Sequence, residues 1–472
     1  MRPRGQGGVD VSNRWTMMLG SIVVWLLLAM SCIDEVLSVT IDQADVSLEV
    51  GESVQLSATV AVRGYASSAV VWSSDDPTVA NVDASGLVLG VSEGSATVNA
   101  TSVADESKHA HVAVIVEPIL ELELCGTIAR NRTLDIIDTP YVLCPGGASV
   151  TDGAVLRVEP GVTVVSDGGG LHIRSAYTDF AYRQFHPAGV IYAIGTADAP
   201  IRFEGARAEA GSWGGIRITS ADERNHLSFV EVAHGGAGDR YNLELTGQAR
   251  VTITDSLFRD ALGYGAFVGS ATVDLSGFAR NTFRGNTGAG MRIDLAHMPY
   301  LDVASTFAAN GVDAIEVRSG TTLSGPETYV WPRTLAPFWL TRGINVDTHL
   351  VVEPGFHSVA SGSWVRVRSG GTIAAVGTPL EPISFTGYPT EPGAWSGIRI
   401  ESDSPENQLR HVDIAHGGGA SGHNNITLSA RLTLTDSIVR DSAACGIHVG
   451  RNAALTESNN TYFGNASGDI CP

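Results

Sequence analysis

Two short blocks carry the side chains best suited to chemistry. Val230-Glu231-Val232-Ala233-His234-Gly235-Gly236 returns as Val412-Asp413-Ile414-Ala415-His416-Gly417-Gly418. A carboxylate and an imidazole at the end of a period-two run can lie near one turn, where they would bind a cation or polarise a sugar hydroxyl. Asp239 is a further acid within reach of the first block. A histidine ahead of Gly-Gly also suits a bare strand-to-turn transition, and duplication copies it without any chemistry, so the structural reading is the stronger of the two. Trp213 and Trp395 follow glycine-containing turns. An exposed indole there would stack on a sugar ring, and a packed one would cover a flank of the fold. Arg217 and Arg399, on alternating positions, are placed to pair with acids as ordinary surface ion pairs. Asp75, Asp76 and Asp83 cluster in turns, where aspartate usually caps backbone amides. Calcium there is conceivable but unsupported, and no cofactor is expected.

The elements that must hold these residues are strands. The chain has 472 residues, 43% hydrophobic and only 17% charged, with 54 glycines, which excludes a disordered polyelectrolyte and points to short strands and tight turns. Thirty basic against fifty acidic side chains give a net charge of −20, and Lys108 is the one lysine. A counterion-releasing grip on phosphate backbones is hard to build from that inventory, so nucleic acid is not an expected partner. The fold class is all-β.

From Val39 to Val116, apolar and polar residues alternate in runs such as Val46-Ser47-Leu48-Glu49-Val50 and Val54 to Val60. Turn residues separate the runs at the spacing of a β-sandwich, with Trp72 expected between the sheets. Beyond Glu117-Pro118 the sequence repeats itself. Gly211-Ser212-Trp213-Gly214-Gly215-Ile216-Arg217-Ile218 matches Gly393-Ala394-Trp395-Ser396-Gly397-Ile398-Arg399-Ile400, and the first copy alone carries an insertion at Ser175 to Ala188 that must loop out. A finer period of about 24 residues runs inside each copy, through Phe258, Phe283 and Phe307 and through the triplets Ala266-Phe267-Val268, Met291-Arg292-Ile293 and Ile315-Glu316-Val317. That is one coil of a β-solenoid, with the aromatics stacked inward and Asn281, Asn286, Asn310, Asn460 and Asn465 expected in left-handed turns, bonded coil to coil.

Five cysteines are present. Setting Cys32 aside leaves an even number, which favours sequential bridges Cys125 to Cys144 and Cys445 to Cys471 in an oxidising compartment, the other possibility being four free buried thiols. Arg2, Arg4 and Arg14 precede an uncharged run, Trp15 to Ser31, whose apolar centre is short for a membrane span, so residues 1–31 are expected to be an export signal.

Three resemblances follow from these residues. Leu28-Ala29-Met30-Ser31-Cys32 resembles a bacterial lipobox, which implies acylation of Cys32, with residues 32–38 as anchor and linker. The leucine stands one position early and Met30 is unusual, so plain secretion and an uncleaved anchor remain open. Val50-Gly51-Glu52-Ser53, Val71-Trp72-Ser73-Ser74-Asp75-Asp76-Pro77 and Asp83-Ala84-Ser85-Gly86-Leu87-Val88 resemble the bacterial Ig-like domain of group 2 over residues 39–116, which implies a spacer or adhesive module. Residues 120–472, with Pro140-Tyr141-Val142, Glu159-Pro160-Gly161-Val162 and Trp213-Gly214-Gly215-Ile216, resemble right-handed parallel β-helix proteins of the pectate-lyase-like superfamily, in halves of about 120–325 and 326–472. This fold supports lyases, hydrolases, adhesins and inert stalks. Residues 120–472 lack the Asp-Asp pair and the Gly-His-Gly turn of a polygalacturonase-type site, and they have no lysine to serve as a lyase base. The expected function is therefore non-catalytic display or adhesion at a bacterial surface. Its expected partner is an extracellular polysaccharide or surface protein, and the membrane is met only through the lipid. The ligand-binding candidates are Glu231, His234, Trp213, Asp413, His416 and Trp395. The alternative is a carbohydrate-active enzyme with its site in a groove beside the Ser175 to Ala188 insertion.

Overall fold

The computed structural model describes all residues except 1–33, 118–121, 180, 182, 239, 240, 319–321 and 420–422. The export signal, Cys32, Asp239 and the insertion residues Phe180 and Tyr182 thus lie outside the described residues. The described residues fall into two units, residues 34–117 and residues 122–472. No helix among them is long and apolar enough to cross a membrane.

The first unit is a small β-sandwich. Asp45–Glu49, His109–Glu117, Gly94–Ser102 and Val70–Ser74 form one sheet, and Ser53–Gln55, Leu87–Gly90 and Ala80–Val82 form another. Alternation puts Val46, Leu48, Val98, Val112 and Val114 into a shared core with Leu56 and Val88. The run Val54 to Val60 is two strands rather than one. It breaks at Leu56, which is buried and gives its amide to Gly86 O at 2.9 Å, and it resumes as Ala58–Arg63 paired with Glu35–Ile41. Trp72 is only half-buried and lies at the margin of the core against Gly86, where φ is +83° and a Cβ would come within 2.9 Å of the indole.

The second unit is a β-solenoid of about 13 turns. Most coils present three strands, each paired in parallel with its counterpart one coil away; the 3-10 helix Leu295–Tyr300 takes the place of one of them. In the first half, face one carries Val230–Ala233, Leu257–Arg259 and Thr282–Arg284; face two carries Leu171–Ile173, Ile216–Ile218, Tyr241–Leu245 and Tyr264–Val268; face three carries His226–Ser228 and Thr252–Thr254. Inward residues form one continuous apolar core. A coil cannot bury these residues alone, so stacking is what stabilises each turn. Phe258, Phe283 and Phe307 stack as expected, with ring centroids 5.1 and 4.9 Å apart.

Corners between faces use the left-handed backbone. From face one to face two, that residue is His234, Asp260, Gly285 and Ala309 on successive coils, and His416, Asp441 and Gly464 in the second half. The asparagines do not take this conformation. Asn286 and Asn465 follow the left-handed residue and bond backbone and neighbours instead, Asn286 Nδ2 donating to Asn310 Oδ1 at 2.9 Å. A carboxamide one step past the corner reaches the next coil, which explains the placement.

The two halves join with a shift of one face. Ile315, on face two of the first half, lies beside Phe338, whose strand Phe338–Leu340 pairs with His357–Ala360. By the internal repeat, His357–Ala360 heads face one of the second half, through Ile383–Gly387 and Val412–Ala415. Equivalent residues of the two copies therefore look out from different sides of the coil. Both bridges are formed, Cys125 with Cys144 and Cys445 with Cys471, the latter tying the adjacent coils Cys445–Val449 and Gly468–Cys471. The insertion stands out as an antiparallel hairpin, Tyr177–Asp179 against Gln184–His186.

Candidate functional site

The two duplicated blocks build the same corner. Glu231 points outward from face one and His234 makes the turn with φ +64°; in the second copy Asp413 and His416 do so with φ +63°. The next coil supplies an arginine to each. Arg259 Nε donates to Glu231 at 2.5 Å and its Nη1 to Asp260 at 2.7 Å, with Glu204 4.0 Å away. Arg440 holds Asp413 through two nitrogens, at 3.1 and 3.0 Å, and Asp441 at 2.8 Å. These carboxylates are acceptors for a guanidinium and so are not a free acid and base. Arg259 Nη1 also lies 3.3 Å from His234 Nε2, which makes that nitrogen the acceptor and places the ring proton on Nδ1. Burial first, and Arg440 second, depress the His416 pKa, so that imidazole is held neutral. The histidines are 7% and 8% exposed.

Trp213 and Trp395 are each 1% exposed, and this corrects the expectation of a sugar-stacking platform at either residue. Their indole N–H groups donate to Ala233 O at 2.7 Å and Ala415 O at 2.8 Å, tying them to the strand below the histidine corner. A buried indole whose only polar atom is satisfied is packing. In the first unit, Asp76 Oδ1 accepts from the Thr78 amide and Asp83 Oδ1 from the Ser85 and Leu87 amides. Asp75 accepts from the Thr97 amide at 2.6 Å. Among the described residues, the one group of three metal-ligating side chains is Glu123, Cys125 and Cys144, whose sulfurs are already bonded to each other. A disulfide offers no thiolate to a metal.

A shallow, open depression of about 360 Å³ lies at the first corner, lined by Glu231, Arg259, Asp260 and Arg284, and Arg259 already pairs both carboxylates across it. A longer groove lies on face two of the first half. Two clefts of about 440 and 220 Å³ share Gly170 and His172 and form one trough beside the hairpin. Gly146, Gly147, Gly170, Gly214 and Gly215 line it, with Tyr177 at one end and Tyr241 at the other. Gly147 and Gly215 are required by positive φ and by carbonyls 2.5 and 2.4 Å from any added Cβ. The outward column on this face runs Thr127, Ser149, His172, Arg217, Glu244, Phe267, Arg292, Glu316 and Trp339, one residue per coil. Arg217 pairs with Glu244 at 2.8 Å and Arg292 with Glu316 at 3.2 Å. Tyr241 stacks on Phe267 with centroids 4.5 Å apart, and the Arg292 guanidinium lies over Tyr264. Burial and the hydrogen bond to Glu316 push the Tyr264 hydroxyl up to about 12. Burial, with Arg174 and Arg217 adding to it, lowers His172 to about 4, so it is uncharged near neutrality.

Sequence reasoning named Arg217 but passed over the rest of this column. The signal was present in the triplets Ala266-Phe267-Val268, Met291-Arg292-Ile293 and Ile315-Glu316-Val317, whose middle residues face out and supply a ring, a cation and an acid.

An Ig-like module followed by a β-solenoid with a lateral trough is the class of protein these features define. Residues 35–113 match the family model of the bacterial Ig-like domain (group 2). A 3-O-alpha-D-galactosyl-alpha-L-arabinofuranosidase of Bifidobacterium longum subsp. longum is 40% identical over 106 residues, 21% of this chain and 9% of that protein. The chain therefore spans less than a tenth of the length of this relative. Ig-like modules of this family and disulfide bonds are typical of extracellular proteins, and both are present here.

Proposed function

We propose that this is an exported bacterial surface protein that binds extracellular glycan without altering it. In this reading the Ig-like module is a spacer, the solenoid is the binding element, and acylation of Cys32 supplies the membrane anchor. The solenoid is read as a right-handed coil of the pectate-lyase-like kind. One observation carries the non-catalytic reading: at both duplicated corners, the carboxylates that acid/base chemistry would use are bound by an arginine, Arg259 or Arg440. An oxygen that already accepts from a guanidinium is not free to take a proton from a substrate or a water.

A second reading is favoured by a specific finding, the partial match to an enzyme named as an arabinofuranosidase. Under it the trough beside the hairpin is a carbohydrate-active site. Glu244 and Glu316 are the acids of the outward column, and they stand three coil steps apart, or roughly 14 Å at the usual strand spacing. That exceeds the roughly 5 to 9.5 Å that pairs of glycosidase carboxyls span. A glycan array run alongside reducing-end and unsaturated-uronate assays separates the readings. Binding without product supports display, and product formation that depends on Glu244 or Glu316 supports the enzyme.

A further inference from the structure

Face two of the first half differs from the other outward surfaces in being open where nothing obliges it to be. Gly146 lines the trough, yet its φ is not positive and no atom lies within 4 Å of the Cβ it lacks. Neither backbone nor packing calls for glycine there. A missing side chain does, however, leave the trough unobstructed next to Gly147 and Gly170.

The charges along the trough cancel. Asp152 and Arg174 line one stretch, Arg217 and Glu244 the other, and His172 between them is neutral. A net charge of −20 on the whole chain adds nothing attractive for a polyanion. Aromatic rings flank the trough and its continuation: Tyr177 in the hairpin, Tyr241 against Phe267, and farther on Trp339 with Tyr388 at 5.8 Å. Tyr177 and Tyr388 are 43% and 41% exposed; Tyr177 rests one face on the His186 ring, with centroids 4.4 Å apart, which braces it and leaves the other face for a ligand. Flat rings and paired polar groups recurring at intervals of whole coils suit an extended chain of pyranose rings, which presents C–H faces and hydroxyls at a similar repeat. From Thr127 to Trp339 the column extends roughly 38 Å at the usual strand spacing, and the one-face shift at the join carries it onto face one of the second half.

We propose that the glycine-lined trough on face two, and the aromatic column that continues it, seat an uncharged, extended polysaccharide along the solenoid axis. This rests on the glycan-binding reading above and adds its place and its class. Tyr177 and Tyr241 stack on the sugar rings, and the Arg217–Glu244 pair offers a donor and an acceptor to hydroxyls without a net charge. The duplicated histidine corners take no part.

The test is native affinity electrophoresis of the full chain in gels containing xylan, galactan or arabinogalactan as neutral polymers, and polygalacturonate as the anionic one. Wild-type protein is expected to be retarded by at least one neutral polymer. Gly146→Phe, which fills the trough from an uncrowded position, and Tyr241→Ala should each weaken that retardation at least tenfold while circular dichroism and melting stay unchanged. Retardation that survives both substitutions overturns the assignment to this trough and leaves glycan binding standing. Retardation by polygalacturonate alone overturns the class of ligand. If no polymer retards the wild type, both this assignment and the glycan-binding reading fall.

Discussion

The two halves of the solenoid share a plan and differ in what they show to solvent. At the face-one corner the first half has Glu231, His234, Arg259 and Asp260, and the second has Asp413, His416, Arg440 and Asp441, each arginine pairing the two carboxylates of its corner. On face two, the first half sets out His172, Arg217, Glu244, Phe267, Arg292 and Glu316, and the second sets out Arg366, Arg399, Thr427 and His448. Only the first carries a phenyl ring in this column, and only the first has the hairpin wall. What both copies keep is what a coil needs to turn and stack. What one copy alone has is free of that duty, and it is there that a ligand surface is sought.

Substitutions can break this division. The largest effect is expected inside the stack. Phe283 is fully buried between Phe258 and Phe307, and Phe283→Ala should cost about 3 to 5 kcal/mol, read as a lower denaturant midpoint. Outward Tyr241→Ala should cost less than about 1 kcal/mol by the same measurement. Next come the corners. Arg440→Met takes the guanidinium from both Asp413 and Asp441 and should cost about 1 to 3 kcal/mol after allowance for partial exposure, whereas after Arg259→Met Glu231 keeps Arg202 at 3.5 Å, so that cost should be the smaller. A larger cost for Arg259→Met would mean the corners have taken different roles.

A smaller effect is expected from pH. The His172 pKa falls from 6.5 unfolded to about 4 folded, so the unfolded chain binds the extra proton between those values. Its contribution is complete above about pH 6.5 and is lost as pH falls toward 4. His226, His297, His357 and His416 are lowered in the same direction, chiefly by burial. Melting temperature should therefore decline through that range, and His172→Gln should make the decline shallower. The smallest effect on stability belongs to Gly146→Phe, whose melting should match the wild type.

Much of this architecture was legible in the chain. The 24-residue recurrence of Phe258, Phe283 and Phe307 reports inward positions, because stacking demands the same shape on every coil. The cysteine pairs followed from their number and order. Outward positions carry no such constraint, so periodicity passed over Phe267, Arg292 and Glu316 even though they stood in the middle of the triplets it found. For Trp213 and Trp395 the sequence offered a packed indole and, less favoured, an exposed one beside glycines; the packed reading holds, and each N–H meets a carbonyl inside. The one-face shift at the join was invisible because the sequence repeat is blind to rotation about the axis.

Hydrogen exchange on the full chain with and without a bound neutral polysaccharide tests the central claim most directly. Protection on ligand binding is expected at residues 146–149, 170–174, 214–217 and 241–244, with the face-one corners unchanged. Protection confined to 231–234, 259–260 and 413–416 would contradict it, returning the site to the duplicated histidines.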